Sequence, residues 1–386
     1  MSHWPHFDED EIAAAVRVLR SGRVNAWTGE EVAAFAREFA AFVGTRHAVA
    51  LANGTLALEL ALAALGLGRG DRVVVTPRSF FASVSAIVRV GAEPVFADVD
   101  PDSQNITAAT VEAVLDRRAR AVLCVHLAGW PCEMGPILEL ARTRGLRVVE
   151  DCAQAHGAAL DGRRVGSFGD LAAWSFCQDK ILTTGGEGGM VTTDDEVLFR
   201  RVWSLKDHGK DFAAATARPT APGFRWLHTA FGTNARMTEM QAAIGRRQLR
   251  KLPDRLARRA RNAARYREVL GDLAAVRIPR PPPHVTHAWY KFYLFVRPEA
   301  LAGGWSRDRI LAEATSRGVP CFSGSCPEIY RERAFDGTPF RPARPLPVAR
   351  RLGETSLMLE VHPTLSEAEV IRRAEILREV LIAATR

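Results

Sequence analysis

Between residues 45 and 193, short apolar runs rich in β-branched side chains alternate with longer stretches whose apolar residues recur at helical spacing. "HAVALAN" leads into "GTLALELALAALGLG", and "DRVVVTP" leads into "SFFASVSAIVRVG" and then "EPVFADVD". "ARAVLCVHL" leads into "PCEMGPILELARTRG" and then "LRVVED". The short runs read as buried strands and the long ones as helices. Strands alternating with helices of this length predict a largely parallel sheet covered by helices on both faces, a three-layer α/β/α arrangement. Two helices are predicted ahead of this block, near residues 9–19 and 30–42. Behind it, "RMTEMQAAIGRRQL" reads as one helix, followed by a second, arginine-rich one. A proline-rich break, "IPRPPPHVTH", then precedes a strand in "AWYKFYLFV", a helix in "SRDRILAEATSRG" and a last helix in "LSEAEVIRRAEILREVLIAA". The expected organisation is a large α/β domain over residues 1–244, N-terminal helices included, and a smaller α+β domain over residues 245–386.

Ligands of such sheets gather at the carboxyl ends of the strands. The chemically informative residues of this chain fall at those ends: Asn53–Thr55, Thr76–Phe81, His126, Asp151 and Lys180. Gly54 and Thr55 stand between a strand and a helix. Unpaired amides and partial positive charge at a helix start suit a phosphate, and glycine admits close approach; a threonine there is also an ordinary helix cap. Glu150 and Asp151 end the run "LRVVED". A carboxylate in that place caps the next turn or holds a cationic ring nitrogen in its protonated form. Phe80 and Phe81 either flank a flat ring or pack in the core. Lys180 follows the apolar run "WSF" and precedes Gly185, Gly186, Gly188 and Gly189. Taken singly, each feature has a structural reading. Together they are the parts that pyridoxal 5′-phosphate requires: a phosphate seat, an aromatic platform, a carboxylate for the pyridinium and a lysine to close a Schiff base.

The chain is long enough, at 386 residues, for two domains. Its net charge of +8 raises a nucleic-acid reading, because the arginines concentrate in "RRQLRKLPDRLARRARNAARYREVL". Leucines and alanines recur there at helical spacing, so the segment is an amphipathic helix with a solvated or partner-facing charged side. No zinc-finger spacing, helix-turn-helix signature or RNA-binding aromatic strand accompanies it, and nucleic acid is not an expected partner. The acidic start, "HFDEDEI", is unlike a secretory signal. No apolar run approaches a membrane span. Six cysteines lie scattered, without CxxC or metal-ligand spacing. A cytoplasmic protein with free thiols and no metal is expected.

The run "EDCAQAHGA…GSFGDLAAWSFCQDKILTTGGEGGMVTTDD" resembles the DegT/StrS-type sugar aminotransferases, which share the pyridoxal-phosphate fold type I of aspartate aminotransferase. So do "NGTLALELAL", "GAEPVFADVDPDSQNI", "VHLAGWPCEM" and "FGTNARMTEMQAAIGRRQL", in order and over most of the chain. The resemblance implies that Lys180 is the Schiff-base lysine and proton shuttle, and that Asp151 pairs with the pyridine nitrogen. It implies that Gln154 approaches the ring hydroxyl and Phe81 stacks on the ring. Gly54, Thr55 and Ser175 would hold the phosphate, with Asn234 reaching it from a neighbouring subunit of a homodimer or larger homo-oligomer. The activity implied is transfer of an amino group from an amino acid, glutamate by expectation, to a keto group of a nucleotide-linked deoxysugar.

The chain departs from the family in "TPRSFF", where Arg78 is an extra cation expected at the substrate or at the surface. "PGFRWLHTAFGTN" and "VPCFSGSCPEIYRERAF" are the least family-like segments, and they lie near the sugar nucleotide in relatives. Arg225, Trp226, His228 and Tyr330 are weak substrate candidates there, each with a core or surface alternative. Three other readings stand beside the leading one. An aminocyclitol aminotransferase of antibiotic assembly shares the same cofactor residues. A sugar dehydratase of this fold would carry histidine in place of Lys180. A regulatory member without turnover would have little need of an intact Lys180, Asp151, Gln154 and Ser175.

Overall fold

The computed structural model describes residues 4–218 and 223–386. Its centre is a seven-stranded sheet. Across the sheet the strands are His47–Leu51, Gly189–Thr193, Leu171–Ser175, Arg147–Asp151, Ala119–Val125, Arg72–Val75 and Glu93–Phe96. All run in one direction except Gly189–Thr193, which is antiparallel to both of its neighbours. Leu171–Ser175 and Gly189–Thr193 are buried along their whole length, as expected of strands covered on two faces. One covering layer includes helices Gly54–Ala64 and Ala82–Arg89, which bury Leu58, Leu62, Val84 and Ile87 in a common core with Val73, Leu123 and Val191. The other side packs Phe35 and Phe39 of helix Glu31–Val43 against Trp174 and Phe176. The three-layer fold expected from the alternation is present.

The loop carrying Lys180 joins two adjacent antiparallel strands, so the chain reverses on the rim it has just reached. One point differs from the sequence reading. The two predicted helices after residue 236 are a single helix, Glu239–Leu270. Thr238 starts it with a capping box closed by Gln241, and it runs through Pro253. An internal proline removes one backbone hydrogen bond, and burial at both ends outweighs that loss. The first half puts Ala242, Leu249 and Leu252 beside Phe35 and Trp174. The second half puts Ala263, Tyr266 and Leu270 beside Phe292, Leu294, Leu357 and Leu377. The expected division after residue 244 therefore lies within a helix shared by two cores. Beyond it, strands Val276–Arg277, Phe292–Val296, Ser356–Leu359 and Cys321–Phe322 form a four-stranded antiparallel sheet, backed by helices Arg307–Ser316 and Glu367–Ala384.

Part of the basic face of the shared helix is neutralised from within the chain. Arg246 binds Glu31 at 2.7 Å and Glu38 at 2.6 Å. The hydrogen bond to Arg246 holds the Glu38 carboxyl below its ordinary range. Lys251 gathers Asp8 at 2.7 Å and Glu11 at 2.8 Å, together with Asp10. Glu11, wholly buried, also accepts from Gln248 at 2.7 Å and from Arg255 at 3.4 Å. The acidic cluster of helix Glu9–Ser21 is thus the counter-charge of the arginine-rich segment. Among the described residues, no helix is long and apolar enough to cross a membrane. Removing one partner from a buried ionic network strands the others. Glu11→Ala is therefore expected to lower stability by about 3 kcal/mol or more, read as the midpoint of urea unfolding; a change within ~0.5 kcal/mol, typical of a surface position, would show that water replaces the carboxylate.

Candidate active site

Asp151 ends its strand one position after Glu150, and alternation sends the two carboxylates to opposite faces. Glu150 turns inward. It accepts the amides of Gly166, Phe168 and Gly169 at 2.8 Å each, and His126 Nε2 lies 3.0 Å from it. His126 Nδ1 in turn accepts from the amide of Cys132 at 3.0 Å. His126, expected at the rim, is thus a buried strut that ties neighbouring loops together. Asp151 faces the site. Ser83 Oγ donates to its Oδ2 at 2.8 Å and the amide of Ala153 to its Oδ1 at 3.1 Å. Burial still pushes its pKa above the ordinary carboxylate value, while these donors and the charge of Lys180 pull the other way. A buried carboxylate steadied mainly by neutral donors favours a cationic partner.

Beside it, Gly54 opens helix Gly54–Ala64, with Asn53 capping the amide of Leu56 at 2.9 Å. Gly54 and Thr55 therefore carry the amides at the helix mouth. A β-carbon on Gly54 would come within 2.6 Å of Ser175 Cβ. The phosphate candidates Gly54, Thr55 and Ser175 thus converge at one place, and their contact is so close that only glycine fits.

Lys180 lies in the loop that follows Ser175 and is mostly buried, its amide donating to Cys177 O at 3.0 Å. Its Nζ is 3.5 Å from Tyr290 Oη and 3.7 Å from Asp179 Oδ1, and Tyr290 Oη donates to Asp179. Burial first, and then the Asp179 charge, drive the Tyr290 phenol well above its ordinary pKa, so it stays a neutral donor. Tyr290 and Asp179 are functional candidates that sequence reasoning missed; the acid immediately before Lys180 was the available signal. Gln154, buried, accepts the Ala128 amide at 2.8 Å through Oε1, which leaves its Nε2 as the outward donor. Phe81 stands at the start of helix Ala82–Arg89 with its ring edge-on to Phe335 at 6.2 Å. Asn234 is exposed, in a β-bridge to Asp207, and the carbonyl of the next residue, Ala235, accepts the amide of Ala52 at 2.8 Å.

Arg78 does not lie at the surface, one of the two places expected for it. Fully buried, it donates from Nε to Gln104 at 2.9 Å and from Nη2 to Ser356 at 3.2 Å, with the Tyr293 ring 5.7 Å away. It ties the rim to the smaller sheet. Tyr330 is likewise buried, bonded to Glu328 at 2.5 Å and packed on Phe96 at 5.4 Å. Trp226 and His228 are exposed, and Arg225 donates to the carbonyls of Ala214 and Ala217.

A cradle for phosphate, a buried acid and a mostly buried lysine on one rim define the site class of a pyridoxal-phosphate enzyme of fold type I. The sequence model of the DegT/DnrJ/EryC1/StrS aminotransferase family matches residues 5–378. GDP-perosamine synthase of Caulobacter vibrioides is 36% identical over 92% of this chain and 91% of its own length. The dTDP-3-amino-3,4,6-trideoxy-alpha-D-glucose transaminase of Streptomyces venezuelae is 35% identical over 95% and 91%. The crystal structure of an aminotransferase from Psychrobacter cryohalolentis is 51% identical, with a TM-score of 0.97 over 99% of each chain. The chain belongs to the DegT/DnrJ/EryC1/StrS aminotransferase family. Its cofactor is pyridoxal 5′-phosphate.

Behind the site, His156 lies between Trp174 and Phe176, with ring centroids 5.3 and 5.6 Å apart. Burial, the first cause, lowers its pKa to about 3. The folded chain therefore resists a proton that the unfolded chain accepts near pH 6.5. Stability from this residue is full above that value and drains as pH falls toward 3. Between pH 7 and pH 5 the loss is about 2 kcal/mol. Urea unfolding of His156→Phe should show that much less pH dependence than the parent; equal slopes would contradict the assignment.

Proposed function

We propose that this chain transfers an amino group from an amino acid, glutamate by preference, to a keto group on a nucleotide-linked deoxysugar. Bound pyridoxal phosphate supplies an aldehyde and an electron-withdrawing pyridinium. Lys180 Nζ is the amine that would hold that aldehyde and would carry the proton to and from the substrate carbon. The Tyr290 hydroxyl, 3.5 Å from that amine, orients it. Asp151 pairs with the ring nitrogen and keeps it protonated. The amides of Gly54 and Thr55 and the Ser175 hydroxyl bind the phosphate dianion, Gln154 Nε2 donates to the ring oxygen, and Phe81 covers a ring face. Asn234, exposed in the single chain, serves the phosphate of a second copy in a homodimer. The support that carries this reading is the buried Asp151 carboxylate, which feels the Lys180 charge beside a helix mouth where no side chain fits at Gly54.

The nucleotide-sugar substrate comes from the relatives, whose names specify GDP- and dTDP-linked sugars. Two different nucleotides among relatives of similar identity leave the base of this chain's substrate open. Lysine at position 180 favours amino transfer over the dehydratase reading, and no observation favours an aminocyclitol over a nucleotide sugar. A cytoplasmic setting fits the six cysteines, none of which is in a disulfide.

Purified protein with pyridoxal phosphate should show a yellow band that Lys180→Ala abolishes or shifts. Glutamate should bleach it, and a keto-deoxysugar nucleotide should restore it where an aminocyclitol ketone does not. A colourless protein would defeat the cofactor assignment; a band indifferent to every amino donor would defeat the transfer. Asp151→Asn removes the ring-nitrogen charge partner and is expected to cost at least a hundredfold in kcat/KM, with folding retained in the cofactor-free chain.

A further inference from the structure

We propose that residues 4–11 act as a strap that fixes the main chain of Lys180, with Trp4 as its positioning residue. The proposal rests on reading Lys180 as the condensing amine. Trp4 Nε1 donates to the carbonyl oxygen of Lys180 at 2.9 Å, across 176 residues of sequence. The loop needs such a hold. It contains Gly185 and Gly186 at φ of +93° and +134°, and its reversal between antiparallel strands leaves Lys180 outside the sheet's hydrogen-bond ladder.

The indole is itself held. The guanidinium groups of Arg255 and Arg259 lie 5.2 and 5.3 Å from its ring centroid. Arg259 is buried, and no carboxylate lies within ion-pair distance of it among the described residues; its Nε and Nη2 lack partners. A desolvated cation of this kind gains most from an aromatic face. The same Arg259 donates through Nη1 to the carbonyls of Trp289 and Tyr290 at 3.3 Å each. Tyr290 Oη then meets Lys180 Nζ at 3.5 Å. The contacts close a ring: Trp4 fixes the lysine's carbonyl, Tyr290 fixes its amine, and Arg259 sets both aromatic residues. Further along the strap, Asp8 and Glu11 anchor it to Lys251 and Gln248.

Tight placement of a condensing amine governs how firmly its partner aldehyde is retained. Trp4→Phe keeps an aromatic face for the two arginines and deletes only the N–H donor. In the cofactor-free chain, hydrogen exchange followed by mass spectrometry should quicken in the peptide covering 174–186. About fivefold is expected, the weight of one ordinary hydrogen bond, while peptides of helix Glu239–Leu270 exchange as in the parent. With pyridoxal phosphate bound, its release on dilution should quicken by a similar factor, and the pH midpoint of the yellow band should move. Unchanged exchange in 174–186 overturns the strap. Faster exchange with release and midpoint unaltered also overturns it, because the contact would then be structural alone. A parent that takes up no pyridoxal phosphate defeats the reading of Lys180, and the exchange arm still decides the strap by itself. Should Trp4→Phe fold poorly, Arg259→Lys, which keeps the charge and loses the two-carbonyl grip, is expected to give the same pattern of exchange and release.

Discussion

At one point on the rim, Gly54 at a helix start lies directly against the Ser175 side chain at a strand end. No β-carbon fits between them. Most of the site follows from that contact. The helix mouth must sit at the carboxyl end of Leu171–Ser175, so its amides face the groove beside Asp151, whose strand pairs in parallel with that one. Gly189 pairs across from Ser175, and Asn53 approaches it as closely as glycine allows, so the chain must return through the same corner. Lys180 is carried on the thirteen-residue excursion between them. The glycines after the lysine are thus needed by the corner's geometry, through the turn at Gly185 and Gly186 and the close approach at Gly189.

Charge is arranged by the same economy. The chain carries a formal +8, and part of the arginine-rich helix is matched to internal acids, Arg246 to Glu31 and Glu38, Lys251 to Asp8 and Glu11. Two buried cations stand without a carboxylate in ion-pair distance among the described residues. Arg78 binds an amide oxygen and a hydroxyl; Arg259 binds two carbonyls and an indole face. Both lie where the large sheet's rim meets the smaller domain. Dipoles can hold a guanidinium that an ion pair would otherwise claim, and burial lowers the pKa of each, that of Arg259 to about 9. A field of that sign near the site disfavours a second cation and suits phosphate and carboxylate.

The sheet, its near-uniform direction and the residues at its rim were legible because two-residue and helical periodicities are local and strong in "DRVVVTP" and "GTLALELAL". Lys180 and Asp151 stood out as polar residues ending apolar runs. The antiparallel return after Ser175 was not legible, since a glycine-rich loop fixes no direction for the strand that follows. Nor was the single helix through Pro253 evident, because a proline normally marks a break and only the two cores hidden from sequence decide otherwise. The surface alternative for Arg78 failed for a related reason. Position on a rim can be read from spacing, but the side toward which a side chain points depends on partners such as Ser356, 278 residues away. Tyr290 is 110 residues from Lys180, and its phenol sat in a run that reads only as an apolar strand.

These long-range partners have a common consequence. Asp151 and Ser175 come from neighbouring strands that are buried at the site end, with the helix mouth packed against Ser175, so their mutual geometry is set within the large sheet's layers. Lys180 is different: its amine is referenced to Tyr290, at the entry to strand Phe292–Val296 of the smaller sheet, and that strand pairs with Ser356–Leu359, where Arg78 is bonded. Any relative movement of the two cores must pass through Glu239–Leu270, a helix embedded in both, and is therefore opposed by burial at each end. Asp151, Ser175 and the helix mouth are thus referenced to one core and the Lys180 amine to both, with the shared helix holding the two cores together. Fixed placement at both ends is what orientation of reacting groups requires.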